Sequence, residues 1–264
     1  MAYFQMKHWL ALFALLVAGN VFAQSPPTAE NTESLAQKAN DPTAALMSFQ
    51  LFDWYTGDFY GLNDSANQLL FRAAIPFALG PTRHIFRVTQ PFVTDSPGGA
   101  DGLVDTTVFD LMTFDRTWGR FGVGVVAIFP TGAQGLTTDK WSAGPAVGFV
   151  NSSSKKRTWG LFVQTAFSYA GKDNAPDVGF INLQPIFSYP LGKGRSFSLG
   201  NSALVYDTEK SKWTSLQLAL NYGQVIKFAG HNWKPSIEAG YDFQDAVGNA
   251  QWVIRIGFAL LLPK

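Results

Sequence analysis

The sequence contains no cysteine and little charge. Because none of its 264 residues is cysteine, neither a disulfide nor a thiolate-bound metal is available to the chain. Charged residues make up 15% of the sequence, whereas about 25% is usual in soluble proteins. Together, the scarcity of charge and the lack of disulfides predict either a large apolar core or a hydrophobic medium around the protein.

An excess of one charge sign is also missing. Removal of residues 1–23 takes away one lysine and no acidic residue, so 19 basic and 19 acidic residues remain and the net charge is zero. Proteins that bind nucleic acid carry a basic patch or stripe. The balanced charge therefore gives no indication of a nucleic-acid partner.

The first 23 residues have the pattern of a secretory signal peptide. Lys7 and His8 form a short n-region, residues 9–18 form an apolar h-region, and small residues predict cleavage between Ala23 and Gln24. A signal anchor or an N-terminal core helix is the alternative interpretation. No cysteine follows the predicted cleavage site, which excludes a lipoprotein anchor.

Long apolar runs are absent after residue 23. No stretch of 18 apolar residues occurs there, which argues against a bundle of membrane-spanning helices. Apolar and polar residues alternate instead, as in residues 158–170, where Trp159, Leu161 and Val163 share one face. A period of two is typical of β-strands. It recurs in most of the twelve segments that we predict to be strands, although Gln90 and Asn201 break the alternation in theirs and residues 47–55 are a strand by composition only.

Long and short connections alternate along the chain between these segments. An even number of strands with alternating connections is typical of a transmembrane β-barrel, which has short periplasmic turns and long outer loops. A soluble β-sandwich is the alternative, but it predicts a polar outer face. The sequence therefore predicts an all-β protein, a transmembrane antiparallel up-and-down barrel of about 12 strands. Its predicted divisions are a signal peptide (1–23), a periplasmic or plug segment with a short helix (24–43) and the barrel (44–264).

Five charged residues fall on predicted inward faces of the barrel: Arg72, Arg87, Glu238, Asp242 and Arg255. In a water-filled pore such residues set ion preference. A last hairpin that is symmetric about residues 243–250 places Glu238 opposite Arg255, a cross-strand pair that contributes roughly 0.2–1 kcal/mol. Glycines on the same faces, such as Gly122 and Gly148, predict room for water, a small solute or a plug.

Residues for catalysis or metal binding are sparse. His84 and His231 flank predicted short turns without the partners that a hydrolase needs. Asp173, Asn174 and Asp177 lie in one predicted outer loop, where solvated carboxylates are a simpler interpretation than a divalent-cation site. We therefore predict no catalytic residues, no cofactor and no metal.

Several short stretches resemble a known family. They are residues 35–50 (LAQKANDPTAALMSFQ), 140–149 (KWSAGPAVGF), 181–191 (INLQPIFSYPL) and 259–264 (ALLLPK). The chain resembles a family of proteobacterial outer-membrane proteins catalogued as transporters, often under the label neuromedin U. It is more distantly similar to barrels encoded beside phenol-degradation genes. The resemblance implies an outer-membrane barrel of about this size and supplies no catalytic residues.

These observations predict a protein of the outer membrane of Gram-negative bacteria. Its expected function is that of a channel or uptake transporter for small molecules, with no substrate named by the sequence. A structural or adhesion barrel without a through-pore is the alternative, and a barrel enzyme is the third candidate. The expected partners are outer-membrane lipid, lipopolysaccharide and the barrel-assembly machinery, and the expected state is a monomer.

Overall fold

The computed structural model describes residues 32–154 and 156–263. The predicted signal peptide and its cleavage site, Ala23 and Gln24, lie outside the described residues. Within them the chain forms one helix and fifteen strand segments, which in order are α1 (Thr32–Lys38), β1 (Met47–Phe59), β2 (Ala66–Leu79), β3 (Thr82–Asp95), β4 (Gly102–Leu103), β5 (Thr106–Arg116), β6 (Gly119–Phe129), β7 (Lys140–Ser154), β8 (Arg157–Gly171), β9 (Gly179–Gly192), β10 (Arg195–Ser198), β11 (Ala203–Asp207), β12 (Lys212–Gln224), β13 (Ile226–Phe228), β14 (His231–Asp242) and β15 (Ala250–Leu262).

The strands close into a barrel. The first and last strands pair antiparallel, with Met47 opposite Leu262 at one end and Phe59 opposite Ala250 at the other. Three of the barrel strands are interrupted, so that β4 with β5, β10 with β11, and β12 with β13 each occupy one position in the wall. The described residues thus form a closed antiparallel barrel of twelve strands with one short helix, which confirms the predicted fold.

Connections at the two ends of the barrel differ in length. One end carries two-residue turns at 80–81, 117–118, 193–194 and 229–230, together with the start of β1 and the end of β15. In the turn 193–194 both residues have positive φ, 54° at Lys193 and 72° at Gly194. That combination is typical of type I′ hairpins, whose twist matches the flanking strands. The predicted alternation of short turns with longer loops is therefore present.

The outer wall of the barrel is apolar. On β12, β14 and β15, Leu220, Ile237 and Phe258 are between 54% and 66% exposed, whereas Glu238, next to Ile237, is 2% exposed. A closed barrel pairs its backbone groups between strands, which is what a hydrocarbon environment demands. Among the described residues, no helix is long and apolar enough to cross a membrane.

Aromatic side chains cluster near both rims. Near the short turns, the ring of Phe149 lies 6.3 Å from Trp118 and 5.6 Å from Trp159, centroid to centroid. Near the long loops, Tyr55 and Trp252 meet edge to face at 5.9 Å. Aromatic rings at both ends of an apolar band are the expected girdles of a transmembrane barrel.

An apolar cluster fills one side of the barrel interior. It is built from inward residues of β3 and β5 to β8: Ile85, Phe109, Leu111, Val126, Ala146, Phe162 and Ala166. A Cβ added at Gly122 would lie 2.6 Å from Leu111, and one at Gly148 would lie 2.6 Å from Phe162. The prediction that these two glycines leave room for water, solute or a plug is therefore wrong. Their missing side chains make room for Leu111 and Phe162.

Candidate functional site in the barrel lumen

The other side of the interior is polar and is centred on an ion pair. Arg255 donates to Glu238 through Nη1 and to Gln217 through Nη2. Its guanidinium also lies 3.5 Å from the centre of the Trp54 ring. The side chains of Arg255 and Glu238 are both 1% exposed. Glu238 stands opposite Arg255 in the strand register, which confirms the cross-strand pairing that the hairpin predicts.

A break in the wall supports this ion pair. Between β10 and β11, residues 199–202 leave the strand, and Asn201 donates its backbone N–H to Glu238 Oε2 at 3.1 Å. On its other side, Asn201 Oδ1 accepts a bond of 3.2 Å from Arg72 Nη1. Gly200 has a φ of 53°, and a Cβ there would lie 1.9 Å from Glu238 Oε2. Glycine is therefore required both for the backbone conformation and for the close approach.

The segment before β1 enters the barrel at the end with the short turns. Leu35 and Ala36 of α1 are 0% and 1% exposed. They belong to an apolar cluster with three residues of the wall, namely Val225, Ala259 and Leu261. Burial of these side chains against the strands is the main favourable contribution to docking of the segment. We call residues 32–46 the N-terminal segment.

Polar contacts hold the middle of the N-terminal segment inside the lumen. Asn40 Nδ2 donates to Ser188 Oγ at 3.0 Å and to Ser196 Oγ at 3.2 Å. Its Oδ1 accepts a hydrogen bond from Lys234 Nζ. Asn40 therefore links the segment to three separate strands, β9, β10 and β14.

Asp41 and Arg120 form a second polar contact of the segment. Arg120 Nη1 donates to the carbonyl of Thr43 at 2.9 Å and lies 3.8 Å from Asp41 Oδ2. Asp41 Oδ1 accepts from the Thr43 N–H at 2.7 Å and from its hydroxyl at 2.6 Å. Burial raises the pKa of Asp41 above 3.8, while the bonds from Thr43 and the charge of Arg120 oppose this rise in pKa.

A cavity of about 160 Å³ lies between the N-terminal segment and the polar wall. Its lining includes Asn40 and Asp41 from the segment, and Arg72, Arg87 and Glu238 from the strands. The cavity is therefore bounded by the N-terminal segment and by the polar residues of the strands. Any solute that passed along the lumen on this side would meet the segment.

The five charged residues predicted from the sequence divide into two groups. Arg72, Arg87 and Glu238 line the cavity, and Arg255 holds Glu238. Asp242 is inward and 3% exposed, but it lies toward the long loops and does not line the cavity. It accepts from the Ser215 hydroxyl at 2.6 Å and from the Leu216 and Gln244 N–H groups at 2.8 and 2.9 Å. Its observed contacts are those of a residue that holds a loop.

Several residues of the site were not predicted. Lys234 and Asn221 occupy the same inward alternation as Glu238 and were available from the strand pattern. Asn40 and Asn201 were not, because neither lies in a regular strand. Asn201 broke the predicted alternation because the strand itself is interrupted there.

His84 and Asp177 do not line the cavity. His84 Nδ1 lies 2.9 Å from Asp110 Oδ2, and its Nε2 lies 2.9 Å from the Thr82 hydroxyl. The same hydroxyl lies 2.7 Å from the Leu79 carbonyl, which it can also reach as a donor.

Asp177, considered as a cation ligand, instead pairs with Lys140 at 3.0 Å. The hydrogen bond from Lys140 is the main cause of a lowered pKa of Asp177. Among the described residues, no group of three His, Cys, Asp or Glu side chains is arranged to hold a metal ion.

Comparison with known proteins shows the fold and not the family. No family model and no curated protein matches the chain, so the family resemblance drawn from short motifs stays a prediction. A solved COG4313 outer membrane channel from Pseudomonas putida F1 is similar, with a TM-score of 0.62 and 13% identity over 91% of this chain and 100% of that chain. The NanC porin is also similar, with a TM-score of 0.55 and 11% identity over 81% of this chain and 100% of that chain. The chain therefore has the fold of outer-membrane channels.

Proposed function

We propose that the protein is an outer-membrane channel or uptake transporter for small molecules, and that its N-terminal segment occludes the lumen. The observation that carries the proposal is the cavity, which has strand residues on one side and the N-terminal segment on the other. A polar interior inside an apolar outer wall is the arrangement of barrels that pass solutes. The solved barrels of similar fold are described as a channel and a porin, which supports the same role.

The N-terminal segment has the contacts expected of a removable plug. Its apolar anchor, Leu35 and Ala36, is small, and its polar contacts are made by single side chains such as Asn40. No strand of the barrel includes any residue of the segment before Met47, so its departure would leave the closed sheet intact. We infer that the segment opens and closes the end that carries the short turns, which we place in the periplasm.

Export and insertion form part of the same proposal. Cleavage between Ala23 and Gln24 would release the N-terminal segment into the periplasm. The apolar wall would then be inserted among outer-membrane lipid and lipopolysaccharide by the barrel-assembly machinery. N-terminal sequencing of the protein purified from outer membranes tests the cleavage, and an intact residue 1 would contradict it.

A structural barrel without a through-pore is the second candidate. The apolar cluster around Phe109 and Phe162 favours it, because that cluster blocks one side of the interior whatever the segment does. The third candidate, an enzyme, is not favoured by a specific observation.

Planar-bilayer recording separates the first two candidates. We expect a variant lacking residues 24–43 to conduct in discrete steps that are larger than those of the full-length protein. A variant lacking 24–31 alone is the matched control and should behave as the full-length protein, since the plug contacts remain. If the 24–43 deletion folds, as judged by heat-modifiable gel mobility, and never conducts, the structural role is favoured and the channel is refuted.

A further inference from the structure

Among the described residues, neither Arg72 nor Arg87 of the cavity forms an ion pair with an acidic side chain. Arg72 makes one hydrogen bond among the described residues, a 3.2 Å bond to the amide oxygen of Asn201. Arg87 makes no hydrogen bond and no ion pair with any described residue. The Nε atoms of both guanidiniums are buried and unpaired. Each guanidinium therefore presents a buried donor that no described residue satisfies, which is uncommon for buried polar groups.

The acids of the cavity are already committed to other groups. Glu238 is held by Arg255 and by the backbone N–H of Asn201. Asp41 accepts two hydrogen bonds from Thr43. Two further cations line the cavity, Lys38 and Lys234, and Lys234 donates to the uncharged amide of Asn40. Arg72 and Arg87 are the two guanidiniums of the lining, and neither forms an ion pair with a described residue.

The strand register places the two arginines side by side. Arg72 on β2 stands opposite Thr89, and Arg87 lies two residues before Thr89 on β3. Diagonal positions of this kind are about 7–8 Å apart, which is within the reach of long side chains. The Arg87 guanidinium lies 4.0 Å from the centre of the Phe109 ring, and that of Arg72 lies 5.6 Å from the Phe52 ring. Stacking on these rings orients both guanidiniums without neutralising them.

The cavity wall beside the arginines is mixed, with Gln50 and Gln184 among its polar side chains. Phe52, Ile85 and Ile186 line it together with the two arginines. A planar guanidinium matches a carboxylate with two parallel N–H···O bonds. The apolar side chains match a short hydrocarbon body better than they match a fully hydrated inorganic anion.

We propose that Arg72 and Arg87 form a binding site for a small organic carboxylate inside the lumen. This inference rests on the proposed function, since it names the class of solute that the channel takes. The carboxylate bridges the two guanidiniums and supplies the missing counter-charge, and its hydrocarbon part lies against Phe52 and Ile85. The adjacent N-terminal segment then covers the bound solute.

Titration calorimetry on the full-length protein in detergent tests the site without requiring conduction. The probes are butyrate, its neutral analogue butyramide, and inorganic phosphate. We expect butyrate to bind, butyramide to give no binding heat, and phosphate to bind at least tenfold more weakly than butyrate. The variants Arg72→Gln and Arg87→Gln should each weaken butyrate binding at least tenfold.

Two further variants keep the experiment decisive. Arg83→Gln removes an arginine whose side chain is 70% exposed and paired with Asp115 at the rim, and it should bind butyrate as the native protein does. Arg87→Lys keeps the charge but lacks the planar fork, and it should bind butyrate with intermediate affinity. It also replaces Arg87→Gln if that variant fails the gel-mobility test of folding.

The outcomes distinguish this inference from the proposed function. Absence of butyrate binding, equal binding of phosphate, or an equal loss in Arg83→Gln would overturn the carboxylate site, even in a protein that conducts. Butyrate binding that depends on Arg72 and Arg87 would support the site. If such a protein nevertheless failed to conduct after removal of residues 24–43, the channel would be refuted and the binding site would stand.

Discussion

The buried ion pair in the lumen gives the most quantitative prediction. Replacing Glu238 by Gln removes the negative charge but keeps an oxygen that can accept the Asn201 N–H. Arg255 would then remain charged, with a side chain 1% exposed, and without its counter-ion. The Gln217 oxygen and the Trp54 ring are its other observed partners, and both are uncharged.

The size of the effect follows from burial. Removing one partner of a buried pair costs about 3–5 kcal/mol, because a buried charge is left uncompensated. An exposed pair contributes no more than about 1 kcal/mol. Arg83 and Asp115 form such a pair at the rim, with side chains 70% and 51% exposed. We therefore expect Glu238→Gln to destabilise the barrel by at least 2 kcal/mol more than Arg83→Gln, taking the difference of those two estimates as about 2 kcal/mol.

Urea unfolding in lipid vesicles, followed by tryptophan fluorescence, measures this difference. The double variant Glu238→Gln with Arg255→Met removes both charges and should recover most of the stability lost by Glu238→Gln alone, because no unpaired charge remains. If Glu238→Gln lost no more stability than Arg83→Gln, the buried guanidinium of Arg255 would not depend on its counter-ion. The estimate from burial would then be wrong.

Two further predictions concern the break in the wall and the N-terminal segment. Gly200→Ala should lose more stability than Gly80→Ala in the same unfolding assay. Both positions have positive φ, but only a Cβ at Gly200 would meet Glu238. Equal losses would show that the Gly200 backbone does not lie close to the Glu238 carboxylate. The raised pKa of Asp41 means that docking of the segment takes up a proton. Docking is therefore favoured as pH falls through the raised pKa toward 3.8, and conductance should fall over that window. Asp41→Asn should abolish this pH dependence, and a variant that retained it would assign the titration to another group.

The strand pattern alone predicts much of the fold. Alternation places Arg255 and Glu238 on the face that points into the lumen, because a period of two fixes the side of the sheet on which each residue lies. The same alternation, with a symmetric hairpin, predicts that the two residues stand opposite each other, as observed. These are local properties of neighbouring strands, so one sequence suffices to obtain them.

Contacts across the barrel could not be predicted from the alternation of side chains. Alternation says that Gly122 and Leu111 both face inward, but not that Leu111 occupies the space at Gly122. The inward turn at Asn201 depends on its bonds to Glu238 and Arg72, which lie on other strands. The docking of Asn40 likewise joins partners more than 140 residues away in sequence. Such contacts depend on the curvature and closure of the whole sheet.

A reversible crosslink of the N-terminal segment tests the central claim most directly. The native chain has no cysteine, so Asn40→Cys with Ser196→Cys introduces the only two thiols of the protein. Because the Asn40 and Ser196 side chains are in contact, oxidation can join the two thiols directly as a disulfide, which a reductant breaks. In a planar bilayer, we predict that the oxidised protein does not conduct and that cleavage of the disulfide restores stepwise current. Equal conductance before and after cleavage would contradict occlusion of the lumen by the segment.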